Sequence, residues 1–194
     1  MSTLNKILEH NKEFVKRNDR LQLLFKQTEV SKIPSNQLAI LTCMDTRLVE
    51  FLEQATGIRR GGAKIIKNAG NIVAGSFGET IRSLIISIFE LNVKEVIVIG
   101  HHDCGMAAAT SGNLKTKMIE RGISEEAIKV VDKEFEEWVD AYHDPIKNTL
   151  NVVQTIKKNP FIPNDILVHG LVFCPDRGEL EVLHWDGRES VSHL

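Results

Sequence analysis

Apolar residues in this chain fall into two patterns, short continuous runs and repeats at helical spacing. The continuous runs predict buried β-strands, because a strand covered on both faces is apolar throughout. Such runs lie at 38–43, 95–100 and 165–173. The segment AKIIKNAG at 63–70 is a further strand candidate that ends in a glycine turn, and a shorter segment follows at 179–185. The segment CPDRG between 165–173 and 179–185 is typical of a hairpin turn, so residues 179–185 are predicted to form an antiparallel edge strand.

Helical spacing predicts that the segments between the strands are helices. The clearest helix begins at Ser76, which with Glu79 fits a capping box, and its apolar face continues to Phe89. Asp144 followed by Pro145 is typical of a helix start. The predicted helices are an N-terminal arm at 3–29, a short helix at 48–55, the helix from 76, and helices at 105–121, 124–141 and 145–158.

Strands that alternate with helices predict an α/β fold with a mainly parallel central sheet, because each helix can serve as a right-handed crossover between neighbouring strands. We predict flanking helices on this sheet, the antiparallel edge strand and the N-terminal helical arm. Residues 1–194 are expected to form a single domain, in which 1–30 is the arm and 38–185 is the α/β core.

Composition narrows the class of protein. The chain has 194 residues, of which 42% are hydrophobic and 26% charged, and its formal charge is −2. These values indicate one soluble globular domain without an electrostatic footprint for nucleic acid. No apolar run reaches membrane-spanning length, and the charged start lacks a signal core, so no membrane partner and a cytoplasmic location are expected. Three cysteines in such a chain favour metal or thiol chemistry over disulfides.

Two predicted strands end in unusual polar clusters. Cys43, Asp45 and Arg47 follow the first strand, and His101 and Cys104 follow the strand at 95–100. In an open α/β sheet, ligands bind beyond the carboxyl ends of the strands. Two thiolates and one imidazole suit zinc, and three protein ligands leave a fourth position open for catalysis. A fourth ligand from Asp45 or His102 would instead make the site structural, and small buried cysteines without a metal are the plainest alternative.

The spacing Cys-x-Asp-x-Arg followed by His-x-x-Cys resembles the β-class carbonic anhydrases. It stands here as Cys43, Asp45, Arg47, His101 and Cys104, and the segment IKNAGN at 66–71 is also similar to the family. The segments CMDTR and HHDCGM resemble those of the compact prokaryotic subclass of this family. The resemblance implies one Zn²⁺ per chain and reversible hydration of carbon dioxide to bicarbonate. It also implies a homodimer or a higher homo-oligomer.

The resemblance also implies roles for the residues around the zinc. Asp45 would orient the attacking hydroxide, and Arg47 would hold that carboxylate through a planar fork of donors. Two thiolates neutralise the charge of the zinc, so the surrounding residues must assist ionisation of its water. His102 could relay the released proton to buffer, or it could simply pack beside the ligands.

Three other functions could use some of the same residues. A cysteine phosphatase needs five residues between Cys and Arg, whereas Cys43 and Arg47 are separated by three. A zinc hydrolase of carbon disulfide or carbonyl sulfide would keep the same ligands and differ only in its pocket. A zinc-bound, non-catalytic redox sensor would not need Asp45 and Arg47. The phosphatase is excluded by spacing, and the other two functions stay open.

Overall fold

The computed structural model describes residues 2–25 and 30–187, with the side chains of 17–25 excepted. The chain divides into two compact units, Met1–Ser31 and Lys32–Leu194. The first contains helix α1 (Thr3–Phe25), which confirms a helical arm as far as Phe25. Residues 26–29, the last of the predicted arm, lie outside the described residues. So do the apolar side chains between Leu21 and Phe25, which we expected to lie on the apolar face of the arm. Apolar side chains of α1 are exposed, among them Leu4, Ile7 and Leu8.

The second unit contains a mixed sheet whose strands follow the predicted runs. The strands of this part of the chain are β1 (Leu38–Cys43), β2 (Ala63–Asn68), β3 (Glu95–His101), β4 (Leu167–Phe173) and β5 (Leu180–His184). Their order across the sheet is β2-β1-β3-β4-β5. The first four pair in parallel, and β5 pairs antiparallel with β4. The α/β fold with a mainly parallel sheet and an antiparallel edge strand is therefore confirmed.

Helices connect the strands, and two predicted helices prove to be interrupted. The helices of this unit are α2 (Phe51–Thr56), α3 (Glu79–Phe89), α4 (Ser111–Glu120), α5 (Glu125–Val130), α6 (Asp132–Val139) and α7 (Pro145–Lys157). The predicted helix at 105–121 begins only at Ser111, where Thr110 accepts a hydrogen bond from the Asn113 N–H. The predicted helix at 124–141 is broken at Val131, whose ψ of 11° is not helical. Among the described residues, no helix has the length and apolar composition needed to cross a membrane.

The start of α3 corrects the predicted capping box. The helix begins at Glu79, and its N-cap is Gly78, which forms no side-chain capping bond. An ideal Cβ at Gly78 would lie 2.1 Å from the Ala74 carbonyl oxygen, so the chain doubles back too tightly here for any residue but glycine. Ser76 lies in this tight turn, and its carbonyl accepts a hydrogen bond from Asn159. The prediction was wrong because a long-range contact, invisible in the local pattern, organises the turn.

The core lies on both faces of the sheet. One cluster packs alternate residues of β1 and β3, such as Leu41 and Val98, against α3 and α7. The opposite cluster includes Leu48 and Leu52 beside α2, and it also contains Cys43, Cys104 and Tyr142. All six residues of β1 are buried, as expected for a parallel strand covered on both sides.

The register of the central strands positions the polar clusters. β1 pairs with β3 up to the partners Thr42 and Ile99. The Thr42 hydroxyl also donates a hydrogen bond to the Ile99 carbonyl at 2.9 Å. Both strands run in the same direction, so the loops that follow Cys43 and His101 leave the same edge of the sheet side by side.

Candidate metal centre

The three predicted zinc ligands meet at the carboxyl edge of the sheet. Cys43 is the last residue of β1, His101 is the last residue of β3, and Cys104 follows in the next turn. The Sγ atoms and an imidazole nitrogen of these residues lie within 4.8 Å of one another, and all three residues are buried. This arrangement could hold a metal ion.

The distances fit a tetrahedral ion of the size of zinc. The two Sγ atoms are 3.8 Å apart, and all three cysteines are free thiols. Two sulfurs that each lie about 2.3 Å from one tetrahedral ion are separated by about 3.8 Å. The sulfur separation therefore matches a shared ion, whereas a disulfide would need about 2.0 Å.

The imidazole of His101 is oriented as a ligand. Its Nδ1 lies 2.9 Å from the His102 carbonyl oxygen, to which it can only donate, so the lone pair is on Nε2. Nε2 is buried and has no hydrogen-bond partner among the described residues. A buried acceptor without a partner is costly, and a metal ion on Nε2 would remove that cost.

The two thiols share one hydrogen bond, which favours a thiolate on one of them. This bond with Cys43, with further help from His101 and Tyr142, holds the pKa of Cys104 below its usual value. The same bond and burial raise the pKa of Cys43 above its usual value. The backbone N–H of Gly70 donates to the Cys43 sulfur at 3.4 Å, which favours its thiolate. One thiolate is thus already stabilised by the protein, and the second would form when a cation replaces the shared proton.

Gly70 is itself held in place by the residues around the cluster. Its φ of +72° is in the left-handed region, and an added Cβ would lie 3.0 Å from the Tyr142 ring and 3.1 Å from Met106. Its carbonyl accepts a hydrogen bond from Asn148 at 2.9 Å. Tyr142 belongs to the same buried cluster as Cys104, a place that sequence analysis missed. No local signal marks it, because Tyr142 is far from both motifs in the sequence.

Asp45 and Arg47 form a bidentate pair beside the cluster. The Arg47 Nε donates to Asp45 Oδ1 at 3.1 Å, and its second terminal nitrogen donates to Oδ2 at 2.9 Å. The Arg47 backbone N–H also donates to Oδ1. These bonds lower the pKa of Asp45 to about 2, so the carboxylate is ionised at neutral pH. Its Oδ2 lies 3.8 Å from the His101 Nε2.

Asp103 contacts Arg47, which sequence analysis did not predict. Its carboxylate accepts a hydrogen bond from the remaining terminal nitrogen of Arg47 at 2.8 Å. Its backbone carbonyl accepts another, at 2.7 Å, from the terminal nitrogen that also donates to Asp45 Oδ2. Asp103 lies between two predicted ligands, but no local pattern relates it to Arg47, because the two residues are 56 positions apart in sequence. His102 precedes it with an exposed side chain, so the structure does not place that imidazole among the ligands.

Comparison with known proteins gives the same picture. A family model described as carbonic anhydrase matches residues 38–180. The Bacillus subtilis protein named "Putative carbonic anhydrase YtiB" is 41% identical over 186 residues, which is 94% of this chain and 97% of that protein. A carbon disulfide hydrolase from Acidianus is 32% identical over 160 residues, covering 74% of this chain and 76% of the relative.

A solved structure extends the likeness to the fold. The β-carbonic anhydrase isoform I of Trichomonas vaginalis superimposes with a TM-score of 0.89 at 39% identity, over 95% of this chain and 99% of that one. The family match spans both strand-end motifs and the whole sheet as far as the start of β5. The chain therefore belongs to the β-carbonic anhydrase family.

Proposed function

We propose that this protein catalyses the reversible hydration of carbon dioxide to bicarbonate and a proton, with one Zn²⁺ per chain held by Cys43, His101 and Cys104. The observation that carries the proposal is the convergence of these three ligand atoms within 4.8 Å, next to an ionised aspartate. Family membership supports the same reaction.

The donor set selects zinc on chemical grounds. Two thiolates and an imidazole are ligands that zinc prefers, and three protein ligands leave one tetrahedral position for a reactant. When bound, zinc would lower the pKa of a coordinated water and so supply hydroxide near neutral pH. Asp45 is the nearest candidate for a fourth ligand, and its pairing with Arg47 supports an open position.

In this proposal, Asp45 orients the nucleophile. Its carboxylate is ionised and acceptor-only, so it takes a hydrogen bond from the attacking hydroxide and directs a lone pair to the carbon of carbon dioxide. Arg47 fixes the carboxylate through two parallel bonds. Addition of hydroxide to carbon dioxide gives bicarbonate, and the proton lost from water leaves the site.

His102 is our candidate for proton release. Its exposed side chain follows the proposed ligand His101, and histidine is a side chain that commonly serves as a proton shuttle. If His102 carries the proton, His102→Ala should lower kcat at low buffer concentration, and concentrated imidazole buffer should restore it. A loss of kcat that buffer does not restore, or no loss at all, would remove this role.

The decisive experiment joins a metal assay to stopped-flow hydration of carbon dioxide. We expect one zinc per chain and turnover that disappears when the metal is removed and returns when zinc is added. Stoichiometric zinc without hydration over the pH range 6 to about 9, on both sides of the expected water ionisation, would refute the proposal and favour a non-catalytic redox sensor.

Hydrolysis of carbon disulfide is the second candidate, because the Acidianus relative carries that name at 32% identity. The same preparation should therefore be assayed with carbon disulfide, and hydrogen sulfide measured as a product. We expect carbon dioxide to be the preferred substrate, since the family model and the more similar relative are both named for carbonic anhydrase. A higher kcat/KM for carbon disulfide would reverse the assignment.

Assembly and location complete the proposal. We propose a homodimer or a larger homo-oligomer, with α1 lying across the partner, because α1 exposes a row of apolar side chains. We further propose a cytoplasmic enzyme of the lyase class, acting on a small-molecule substrate and binding neither nucleic acid nor membrane.

A further inference from the structure

We propose that Asp103 is a positioning residue that clamps Arg47 and thereby holds Asp45 in its working orientation. This inference deepens the proposed function and rests on it. Asp103 would touch neither the metal nor the substrate. Its effect would pass through the guanidinium of Arg47, which lies between the two carboxylates.

The geometry of Arg47 is that of a guanidinium held from two sides. Four acceptor atoms receive its side-chain N–H groups: both oxygens of Asp45, the carboxylate of Asp103 and the backbone carbonyl of Asp103. Asp45 and Arg47 belong to the loop after β1, and Asp103 belongs to the loop after β3. The guanidinium therefore links two loops that otherwise leave the sheet separately.

An exposed ion pair by itself contributes little, and the side chain of Asp103 is 87% exposed. In this proposal, the pair of Arg47 and Asp103 fixes the orientation of the guanidinium and adds little to the stability of the fold. The planar fork of Arg47 has one orientation that satisfies Asp45 and Asp103 together, so the bond to Asp103 removes the rotation that Asp45 alone would allow.

Loss of that orientation would matter for the metal centre. The Asp45 Oδ2 lies only 3.8 Å from the His101 Nε2, so a small rotation would carry this oxygen into the space among the ligands. A carboxylate there would compete with the reactant for the open coordination position. By securing Arg47, Asp103 would keep that space clear.

The backbone of Asp103 makes a clean test available. Its φ is +53°, a left-handed conformation that asparagine adopts as readily as aspartate. Asp103→Asn therefore keeps the turn and the backbone carbonyl acceptor, and it replaces the charged carboxylate by a neutral amide, which is a weaker acceptor for Arg47. Asp165→Asn serves as a matched control, because Asp165 is an exposed aspartate just before β4 and thus near the opposite edge of the sheet.

The first readout does not depend on turnover. In the full-length protein as purified, the Arg47 Nε–H is followed by nitrogen-edited NMR and identified by its absence in Arg47→Lys. We expect its exchange with solvent to be about tenfold faster in Asp103→Asn than in wild type. The Nε–H itself donates to Asp45 Oδ1, and this bond should open more often once the neighbouring bond from Arg47 to the Asp103 carboxylate is weakened. Asp165→Asn should exchange at the wild-type rate.

The second readout is activity with zinc content. Asp103→Asn should keep one zinc per chain and lower kcat/KM for carbon dioxide by about tenfold, while Asp165→Asn leaves both unchanged. Unchanged Nε–H exchange in Asp103→Asn, or faster exchange with full kcat/KM in an active enzyme, would overturn the clamp. If wild type proves inactive, the proposed function fails, and the exchange measurement alone decides whether Asp103 restrains Arg47.

Discussion

Replacing Gly100 by alanine is expected to destabilise the protein and to disturb the metal centre next to it. Gly100 precedes ligand His101 in β3 and pairs with Val172 of β4. An added Cβ would lie 2.3 Å from the Thr149 Oγ1 of α7 and 3.1 Å from the Pro145 carbonyl oxygen. Thr149 is fully buried, so it has no free space into which to withdraw.

The size of the effect follows from this overlap. Ordinary contact begins at 3.4 Å, so strand and helix must separate locally by about 1 Å. Since α7 carries Val153 and Ile156 into the core, that shift disturbs close-packed side chains. Overpacking of this kind costs about 1–3 kcal/mol, and we expect Gly100→Ala to lose about 2–3 kcal/mol of unfolding free energy.

A double-mutant cycle isolates the cause. Thr149→Ala removes the clashing hydroxyl, which has no hydrogen-bond partner among the described residues, and one methyl group. Alone it should cost about 1 kcal/mol for the lost methyl contact. In the double variant, the loss of unfolding free energy should be smaller than the sum of the two single losses by at least about 1.5 kcal/mol, because the two substitutions share one contact.

The assay is urea unfolding, with all variants at the same protein concentration and with their zinc content measured. Both conditions are needed because assembly and bound metal shift the apparent stability. Zinc content should fall in Gly100→Ala and recover in the double variant. Additive free energies in the cycle would show that the hydroxyl is not the obstacle. A Gly100→Ala protein as stable as wild type would refute the packing argument altogether.

Four further predictions concern the site, the assembly and the fold. Cys43→Ser, His101→Ala and Cys104→Ser should each lower zinc content measured by elemental analysis, because two remaining ligands hold the ion poorly; full retention would remove that residue from the ligand set. Arg47→Ala should keep zinc while kcat/KM falls by at least about tenfold, and surviving activity would contradict the pairing role. Light scattering should show a dimer or a larger assembly, and a fully active monomer would refute it. Ser111 donates two hydrogen bonds to Asp140 and lowers its pKa, so its stabilisation is present at neutral pH and is lost as pH falls through that lowered pKa. Asp140→Asn should thus be less stable than wild type at pH 7, the two should converge in strong acid, and an equal gap at both pH values would contradict this.

Much of the fold was determined by the sequence pattern alone. The run LAILTC became β1 without a shift at either end, because all six residues of this central strand are buried by the layers on both faces of the sheet. Asp144 and Pro145 began α7 as expected, since capping there depends only on neighbouring backbone groups. The proposed ligand set could be inferred because each motif lies within a few residues of a strand end.

Tertiary structure decided whatever depended on partners distant in sequence. The contact of Ser76 with Asn159 before α3, the contact of Arg47 with Asp103 and the burial of Tyr142 beside Cys104 all join segments that no local pattern relates. The spacing of apolar residues predicts which face of a helix or strand a side chain occupies. The partner that this side chain contacts depends on the order of the strands in the sheet. In this protein β1 and β3 lie side by side, and that adjacency places Asp103 against Arg47.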